Sequence, residues 1–328
     1  MNKQKRILVT GATGFIGHHL VRYLKAQGHW VRGVDWAKPE ERWGFEGDEF
    51  MCMNLMDKDS CYVAVSGGIE EVYGLAADMG GIGYMSEPSH QATMLYNNTM
   101  INFQMLEASR KAQVKRYLYS SSACVYPLYK QTETNAEPLK ESDTYPADPD
   151  MTYGWEKLQM EHLCKAYNDC YDIDVKVVRF HNIYGPEEHY DDGREKAPGA
   201  LSRKLAHAIQ NNDSSFEMWG DGENRRSFCY VTDCCKCLDL VMNGQGHGPY
   251  NIGRDDTTSI NELADYLQQI AGTNLEVKHV DGALGVKGRN SDNTLFKETF
   301  NFEPEVSMLD GLTKTFNWIK EDIESKSQ

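Results

Sequence analysis

The chain has 328 residues, a formal net charge of −15 and 40% hydrophobic residues. That is enough apolar material to fill one large core or two moderate ones, and so acidic a chain argues against non-specific nucleic-acid binding. No window approaches about eighteen consecutive apolar residues, and the run ahead of Gly11 is too short for a signal peptide, so the sequence predicts a cytoplasmic protein with no membrane partner. The nine cysteines are odd in number and irregularly spaced, which fits reduced thiols better than a disulfide framework. Cys234-Cys235-Lys236-Cys237 lacks a second ligand pair at zinc-like spacing, so no metal is predicted.

In chain order, Arg6-Ile7-Leu8-Val9-Thr10 is a short apolar run of the buried parallel-strand type. It breaks at Gly11-Ala12-Thr13-Gly14-Phe15-Ile16-Gly17 before an amphipathic helix reaching about Gln27. Strand, glycine turn and helix are the parts of a dinucleotide site. Gly11, Gly14 and Gly17 allow a tight turn, close approach of backbone N–H groups to a pyrophosphate, and close packing of helix on strand, with Phe15 and Ile16 at the helix start. Asp35 closes the next strand, Trp30-Val31-Arg32-Gly33-Val34-Asp35, where a carboxylate accepts from ribose hydroxyls and repels a 2′-phosphate. NAD is therefore predicted over NADP. Residues 50–54 read as a third strand ending at Asn54, whose amide oxygen can accept from the adenine amine.

Residues 71–77 read as a fourth strand whose small residues near Ala76 let a cofactor pass. A glycine-rich loop over 78–91, containing Gly80, follows at the carboxyl end of that strand, where doubly wound sheets bind ligands. A helix over 94–112, a strand over 116–122, a helix from Thr152 and a strand over 174–180 continue the alternation. The fold class is α/β with a doubly wound parallel sheet.

Two stretches carry the candidate chemistry. Tyr153 and Lys157 share one face of the predicted helix, and a lysine ammonium beside a phenol lowers its pKa from about 10 and makes it a usable general base. Tyr119-Ser120-Ser121-Ser122-Ala123-Cys124 ends a buried strand and brings the Ser122 hydroxyl to the same place. Beyond residue 183 the alternation stops and arginines gather on loops: Arg194 and Arg203, Arg225 and Arg226 after Trp219-Gly220-Asp221-Gly222, and Arg289. Arginines in such positions suit a second, phosphorylated ligand through bidentate contacts.

Taken together, Gly11-x-x-Gly14-x-x-Gly17, Asp35, the serine segment, Tyr153-x-x-x-Lys157, the strand end Arg179-Phe180-His181-Asn182-Ile183-Tyr184-Gly185-Pro186 and Trp219-Gly220-Asp221-Gly222 resemble an extended short-chain dehydrogenase/reductase acting on nucleotide sugars. Within that superfamily, Ala76-Ala77-Asp78-Met79-Gly80-Gly81, Ser121-Ser122-Ala123-Cys124, Gly193-Arg194-Glu195-Lys196-Ala197-Pro198, Arg226-Ser227-Phe228 and Gly288-Arg289-Asn290-Ser291-Asp292-Asn293 resemble the GDP-mannose 3,5-epimerase family. The resemblance implies an NAD-binding domain over 1–183 with a returning segment at about 227–255. A smaller C-terminal α/β domain, over 184–226 and 256–328, would bind the nucleotide sugar.

The chemistry implied is oxidation at C4, inversion at C5 and/or C3, and re-reduction by the same cofactor. Tyr153 takes the 4-hydroxyl proton, supported by Lys157 and Ser122. The resulting 4-ketone acidifies the hydrogens at C3 and C5, and Cys124 with Lys196 forms the acid/base pair that inverts them. Cys124 is expected two residues beyond Ser122 on one extended segment, both side chains facing the sugar. Gly80, Ser122, Asn182, Glu195, Lys196, Ala197, Arg203, Trp219, Arg226 and Arg289 are the expected substrate contacts. The substrate implied is GDP-mannose, the product GDP-L-galactose or GDP-L-gulose, and the assembly a homodimer through helices near 94–112 and 152–170. Three other readings remain at this point: a GDP-hexose or GDP-heptose 4-epimerase, a 4,6-dehydratase, and an idle NAD(H)-binding regulator. The dehydratase reading lacks the acidic pair it needs after the serine, where Ala123-Cys124 stands, and the idle regulator would have lost Tyr153 or Lys157.

Overall fold

The β-branched and leucine-rich runs of the first half become strands because helices cover both of their faces. A computed structural model of the protein describes residues 3–39 and 44–326. It begins with β1 (Arg6–Thr10), α1 (Phe15–Ala26), β2 (Trp30–Asp35), β3 (Glu49–Cys52), α2 (Lys58–Ala64) and β4 (Glu71–Gly74). Then come α3 (Ile82–Met85), α4 (Pro88–Lys111), β5 (Arg116–Ser122), α5 (Met151–Cys170), β6 (Asp174–Phe180) and β7 (Asn182–Tyr184). The second half carries α6 (Ala197–Asn211), β8 (Ser215–Trp219), β9 (Arg225–Arg226), β10 (Phe228–Tyr230), α7 (Val231–Asn243) and β11 (Tyr250–Ile252). It ends with β12 (Thr258–Ser259), α8 (Ile260–Ala271), β13 (Glu276–Val280), β14 (Gly288–Arg289), α9 (Thr294–Phe300) and α10 (Met308–Lys326).

Seven strands form one parallel sheet in the order β11-β6-β5-β4-β1-β2-β3. β1 pairs on one side with β2, Arg6↔Trp30 to Thr10↔Val34, and on the other with β4, Ile7↔Glu71 to Thr10↔Gly74. The chain therefore reverses its direction of travel across the sheet at β1, and a crevice opens beyond the carboxyl ends of β1 and β4. Leu20, Val21 and Leu24 of α1 pack with Leu238 and Val241 of α7 on one face. Cys61 of α2, Met105 and Leu106 of α4, and Met160 and Cys164 of α5 cover the other. The doubly wound sheet is thus as the sequence predicts.

A second cluster joins α6, α8 and α10 through Leu201, Leu205, Leu263, Leu267, Leu312 and Phe316. Small sheets flank it, β10 with β7, β12-β9-β14, and β13 with β8. Three boundaries differ from the sequence reading. The third strand, read over 50–54, is β3 at Glu49–Cys52, because Asn54 already belongs to a turn in which its carbonyl accepts from the Asp57 amide at 3.1 Å. The predicted 78–91 loop holds α3 and the start of α4, which begins at Pro88 instead of near Met94. Proline suits the first helical turn, where its missing N–H has no partner to lose. The fourth strand stops at Gly74, three residues short of the predicted end, because the amides of Leu75 and Ala76 donate to the Thr10 hydroxyl instead of to a ladder.

Candidate active site

The glycine turn is shaped to receive a dinucleotide. Gly11 has φ of +67°, and a Cβ on it would lie 2.9 Å from the Ala76 nitrogen; one on Gly17 would lie 1.9 Å from the Gly11 oxygen. Only glycine fits either place. Gly14 caps α1 without a side-chain bond. The helix's first intrahelical amide bond is His18 to Gly14, at 3.0 Å, so the amides of Phe15, Ile16 and Gly17 have no intrahelical acceptor. A helix end of this kind favours an anion. Asp35 reaches back to the same turn, its two oxygens accepting from the Thr13 amide at 3.0 Å and the Trp36 amide at 2.8 Å. Oδ1 also accepts from the Ala37 amide at 3.4 Å, so Oδ2 is the oxygen that keeps a lone pair for a ribose hydroxyl. Asn54 is exposed, and its Oδ1 accepts from the Met56 amide at 3.0 Å, again with one lone pair left.

Beyond this turn lies a cleft of about 330 Å³, within the range of small-ligand sites. Ser122, Cys124, Tyr153, Gly80, Asn182, Glu195, Lys196, Ala197, Arg203, Trp219, Arg226 and Arg289 all line it. Residues from the loops after β4, β5, β6 and β7 and from the second core are brought together there. Lys157 stands behind the wall, 1% exposed. The loop at Gly80 and Gly81 closes against the strand of chain bearing Glu195: the Gly81 amide donates to the Arg194 carbonyl at 2.9 Å, and Arg194 reaches Asp78 at 3.4 Å.

Cys124 differs from its expected geometry. Ala123–Val125 is a single 3-10 turn, and Ser122, which caps it, accepts from the Cys124 amide at 3.1 Å. Ser122 and Cys124 therefore reach the cleft from a turn, not from alternating positions along a strand. Gly154 explains how the turn meets α5: a Cβ there would lie 2.2 Å from the Cys124 carbonyl oxygen. That carbonyl also accepts from the Asp150 amide at 2.8 Å. The glycine inside Tyr153-Gly154-Trp155-Glu156-Lys157 is thus what lets Tyr153 and Cys124 share one wall.

The electrostatics of the tyrosine also depart from expectation. Burial, with Cys124 and Glu156 nearby, pushes the Tyr153 phenol well above its usual value, and a bond from Ser122 opposes this. Lys157 does not reverse it, because its Nζ donates to the Ser120 carbonyl at 3.1 Å and lies over the faces of the Tyr119 and Tyr153 rings, 5.0 and 5.4 Å from their centroids. Burial pushes Lys157 itself down, and Glu156 resists that. In the protein alone, then, Lys157 faces the ring and not the hydroxyl.

Two arginines dominate the far wall. Arg289 donates to Cys124 Sγ at 3.4 Å, to Gln131 at 2.5 Å and to Asp150 at 2.6 Å. Arg226 donates to the carbonyls of Arg225 and Lys287, at 2.8 and 3.3 Å. Burial and the neighbouring Arg289 push it down to about 10. Two guanidiniums side by side favour an anion between them. Arg225, by contrast, is spent on Glu262, at 2.9 Å. Arg203 donates to the Tyr190 carbonyl at 2.6 Å and to Glu195 at 3.1 Å. Asp150, Gln131 and Gly154 escaped the sequence reading. Asp150 stands directly before α5, but nothing in sequence links it to an arginine so far along the chain.

A glycine-turned doubly wound sheet that feeds a serine, a tyrosine and a lysine toward one cleft defines an extended short-chain dehydrogenase/reductase. The cleft beside it is built for a second ligand. The chain belongs to the NAD dependent epimerase/dehydratase family, whose model matches residues 7–253. It is 45% identical over 326 residues to GDP-mannose 3,5-epimerase 1 of Oryza sativa subsp. japonica, covering 99% of this chain and 84% of that one. To the GDP-mannose 3,5-epimerase of Arabidopsis thaliana it is 44% identical over 322 residues, 98% of this chain and 84% of that one. The solved structure of UDP-glucose 4-epimerase with UDP-glucose from Thermotoga maritima superposes with a TM-score of 0.86 at 26% identity, covering 97% of this chain and 99% of that one. The cofactor is NAD, and the crowded glycines and Asp35 fit it.

Proposed function

We propose that the protein epimerises GDP-mannose at C5 and/or C3 through a 4-keto intermediate. The observation that carries the reading is the presence of Cys124 and Lys196 on the walls of the cleft that Tyr153 enters. A 4-epimerase needs no such pair, and the match to a 3,5-epimerase at 45% identity over 99% of this chain outweighs the 26% likeness to a 4-epimerase structure.

Bound NAD, held by the Gly11–Gly17 turn and Asp35, would supply the hydride acceptor for oxidation at C4 and the donor for the re-reduction. Tyr153 accepts the 4-hydroxyl proton once it is ionised, a form the positive charge of the bound oxidised cofactor would favour beside Lys157, which holds the tyrosine ring from behind; Ser122 bonds the same oxygen. With the ketone formed, one of Cys124 and Lys196 removes a proton from the carbon beside it, and the electron pair moves into the enolate. The other supplies a proton to the opposite face. Arg289 stands beside the sulfur, where it offsets the charge left when Cys124 gives up its proton. Burial pushes the Lys196 amine down, toward the range where a lysine both gives and takes protons. Arg226 and Arg289 receive the diphosphate, Arg203 and Glu195 orient the ligand, and Trp219, 44% exposed at the rim, offers a face for the base.

A homodimer in the cytoplasm completes the reading. Helices α4 and α5 lie side by side with Tyr96 62% and Trp155 51% exposed, and all nine cysteines are free thiols. No helix among the described residues is long and apolar enough to cross a membrane. The test of function is proton NMR of GDP-mannose with the purified protein in deuterated water. Deuterium entering at C3 or C5 with new galactose- or gulose-type signals supports the reading, and its loss in Cys124→Ala and Lys196→Ala supports the pair. Inversion at C4 without exchange at C3 and C5 would return the protein to the 4-epimerases.

A further inference from the structure

Glu188 is 5% exposed on the loop that leaves β7, and its Oε1 has no hydrogen-bond partner. A buried carboxylate without a partner is costly unless a charge compensates it. Its carboxyl group presses on the first turn of α6: a Cβ on Gly199 would lie 3.3 Å from the Glu188 Cδ. The residue that caps this helix is Lys196, and it supplies no side-chain cap bond. Lys196 is the cation whose charge acts on Glu188, from beyond direct ion-pair distance, and the Gly185 backbone bonds the carboxyl group. In return Lys196 faces Glu188, the Cys124 thiol across the cleft and the Cys234 thiol of α7. Burial keeps Cys234 protonated, so Glu188 is the carboxylate in this set. Lys196 lines the cleft and Glu188 does not.

We propose that Glu188 is a positioning residue for Lys196, a counter-charge set behind the cleft that fixes the ammonium toward the sugar and keeps its proton available. The inference rests on the reading of Lys196 as half of the acid/base pair. Burial pushes Glu188 up and Lys196 down, so either charge alone is disfavoured, and each group's charge offsets part of the other's penalty. In the protonating step an N–H bond of Lys196 breaks and a C–H bond forms with the enolate's electron pair. The amine is left neutral and regains a proton through solvent, balanced by the one Cys124 took from the substrate, while the Glu188 carboxylate favours the return of the ammonium without touching the substrate.

The test is competitive acetylation of the NAD-bound protein with trace acetic anhydride across a pH series, with the Lys196 peptide quantified by mass spectrometry. Glu188→Gln keeps the shape and removes the charge, and the midpoint for Lys196 labelling should fall by about one pH unit or more. Glu188→Asp, which withdraws the carboxylate by one methylene, should move it the same way by less. It also serves as the test variant if the glutamine protein does not fold. An unmoved midpoint in a folded variant overturns the proposal. Lys196→Ala keeps the two readings apart: intact deuterium entry there means that Lys196 is not the acid/base group, whatever Glu188 does to its labelling.

Discussion

Arg289 touches the Cys124 sulfur at 3.4 Å with one guanidinium nitrogen and the Asp150 carboxylate at 2.6 Å with another. Asp150 is also the residue that precedes and caps α5, the helix that carries Tyr153. One arginine on β14 of the second half thus ties the thiol to the start of the tyrosine's helix. The site's two chemistries, oxidation at C4 and proton exchange at its neighbours, depend on that tie for their relative placement.

Asp150→Asn should therefore reduce turnover more than binding. The asparagine keeps the shape but frees the guanidinium, and a displacement of the order of an ångström in a reacting group costs about 10²-fold. The expected result is a kcat loss of that order with KM and NAD content little changed, measured by steady-state kinetics. A variant that loses NAD and kcat together would show that Asp150 serves the fold of α5 and not the arrangement of Arg289.

Gly17→Ala tests the turn. The added methyl would meet the Gly11 oxygen at 1.9 Å, with no flexible side chain there to yield. The α1 N-terminus must then move off β1, and the three amides offered to the diphosphate move with it. Protein purified with this substitution should lack NAD, seen as loss of the cofactor released on denaturation, and should melt at lower temperature. Retained NAD at full occupancy would refute the reading of this turn.

The sheet was legible because its strands are short apolar runs punctuated by glycine, and because Tyr153 and Lys157 fall one helical turn apart. Where the reading failed, the cause lay in contacts distant in sequence. The 3-10 turn at Ala123–Val125 is set by the Ser122 cap and by the close approach of Gly154, and no local propensity announces it. The direction of Lys157 is set by the Ser120 carbonyl, so a spacing that placed tyrosine and lysine on one face did not reveal which atoms face each other. Arg225 and Arg226 are adjacent and alike in sequence, yet one is neutralised by Glu262 and the other opens onto the cleft. Only the fold tells them apart.

The exposed aromatics on α4 and α5 give a prediction about assembly. Tyr96 and Trp155 are 62% and 51% exposed on neighbouring helices. Aromatic side chains of this kind are enriched in interfaces, where a charge is poorly tolerated. Trp155→Glu, alone or with Tyr96→Glu, should convert a dimer into a monomer in sedimentation velocity at micromolar protein. A wild-type monomer under those conditions would rule the dimer out.

Stability should fall on acidification through the segment that follows β7 and the helix it touches. His19 donates to the Pro186 carbonyl at 3.0 Å, and burial, helped by the neighbouring His18, pushes it down from 6.5 to about 4. Its fold therefore prefers the neutral ring. The unfolded chain binds the extra proton between about pH 6.5 and 4, so stability is full above that window and is lost as pH falls through it. For Glu187, burial works against the charge, but bonds from His18 and Arg22 hold it at about 2. Its contribution is present above the unfolded value of about 4.3 and is lost as pH falls toward about 2. In urea unfolding, His19→Gln should remove up to ~1.4 kcal/mol per pH unit of slope between pH 6.5 and 4, while Glu187→Gln should flatten the profile only below about pH 4.3. If both variants kept the wild-type slope, the acid sensitivity would belong to other groups, with the buried His181, pushed down to about 3, next to be tested.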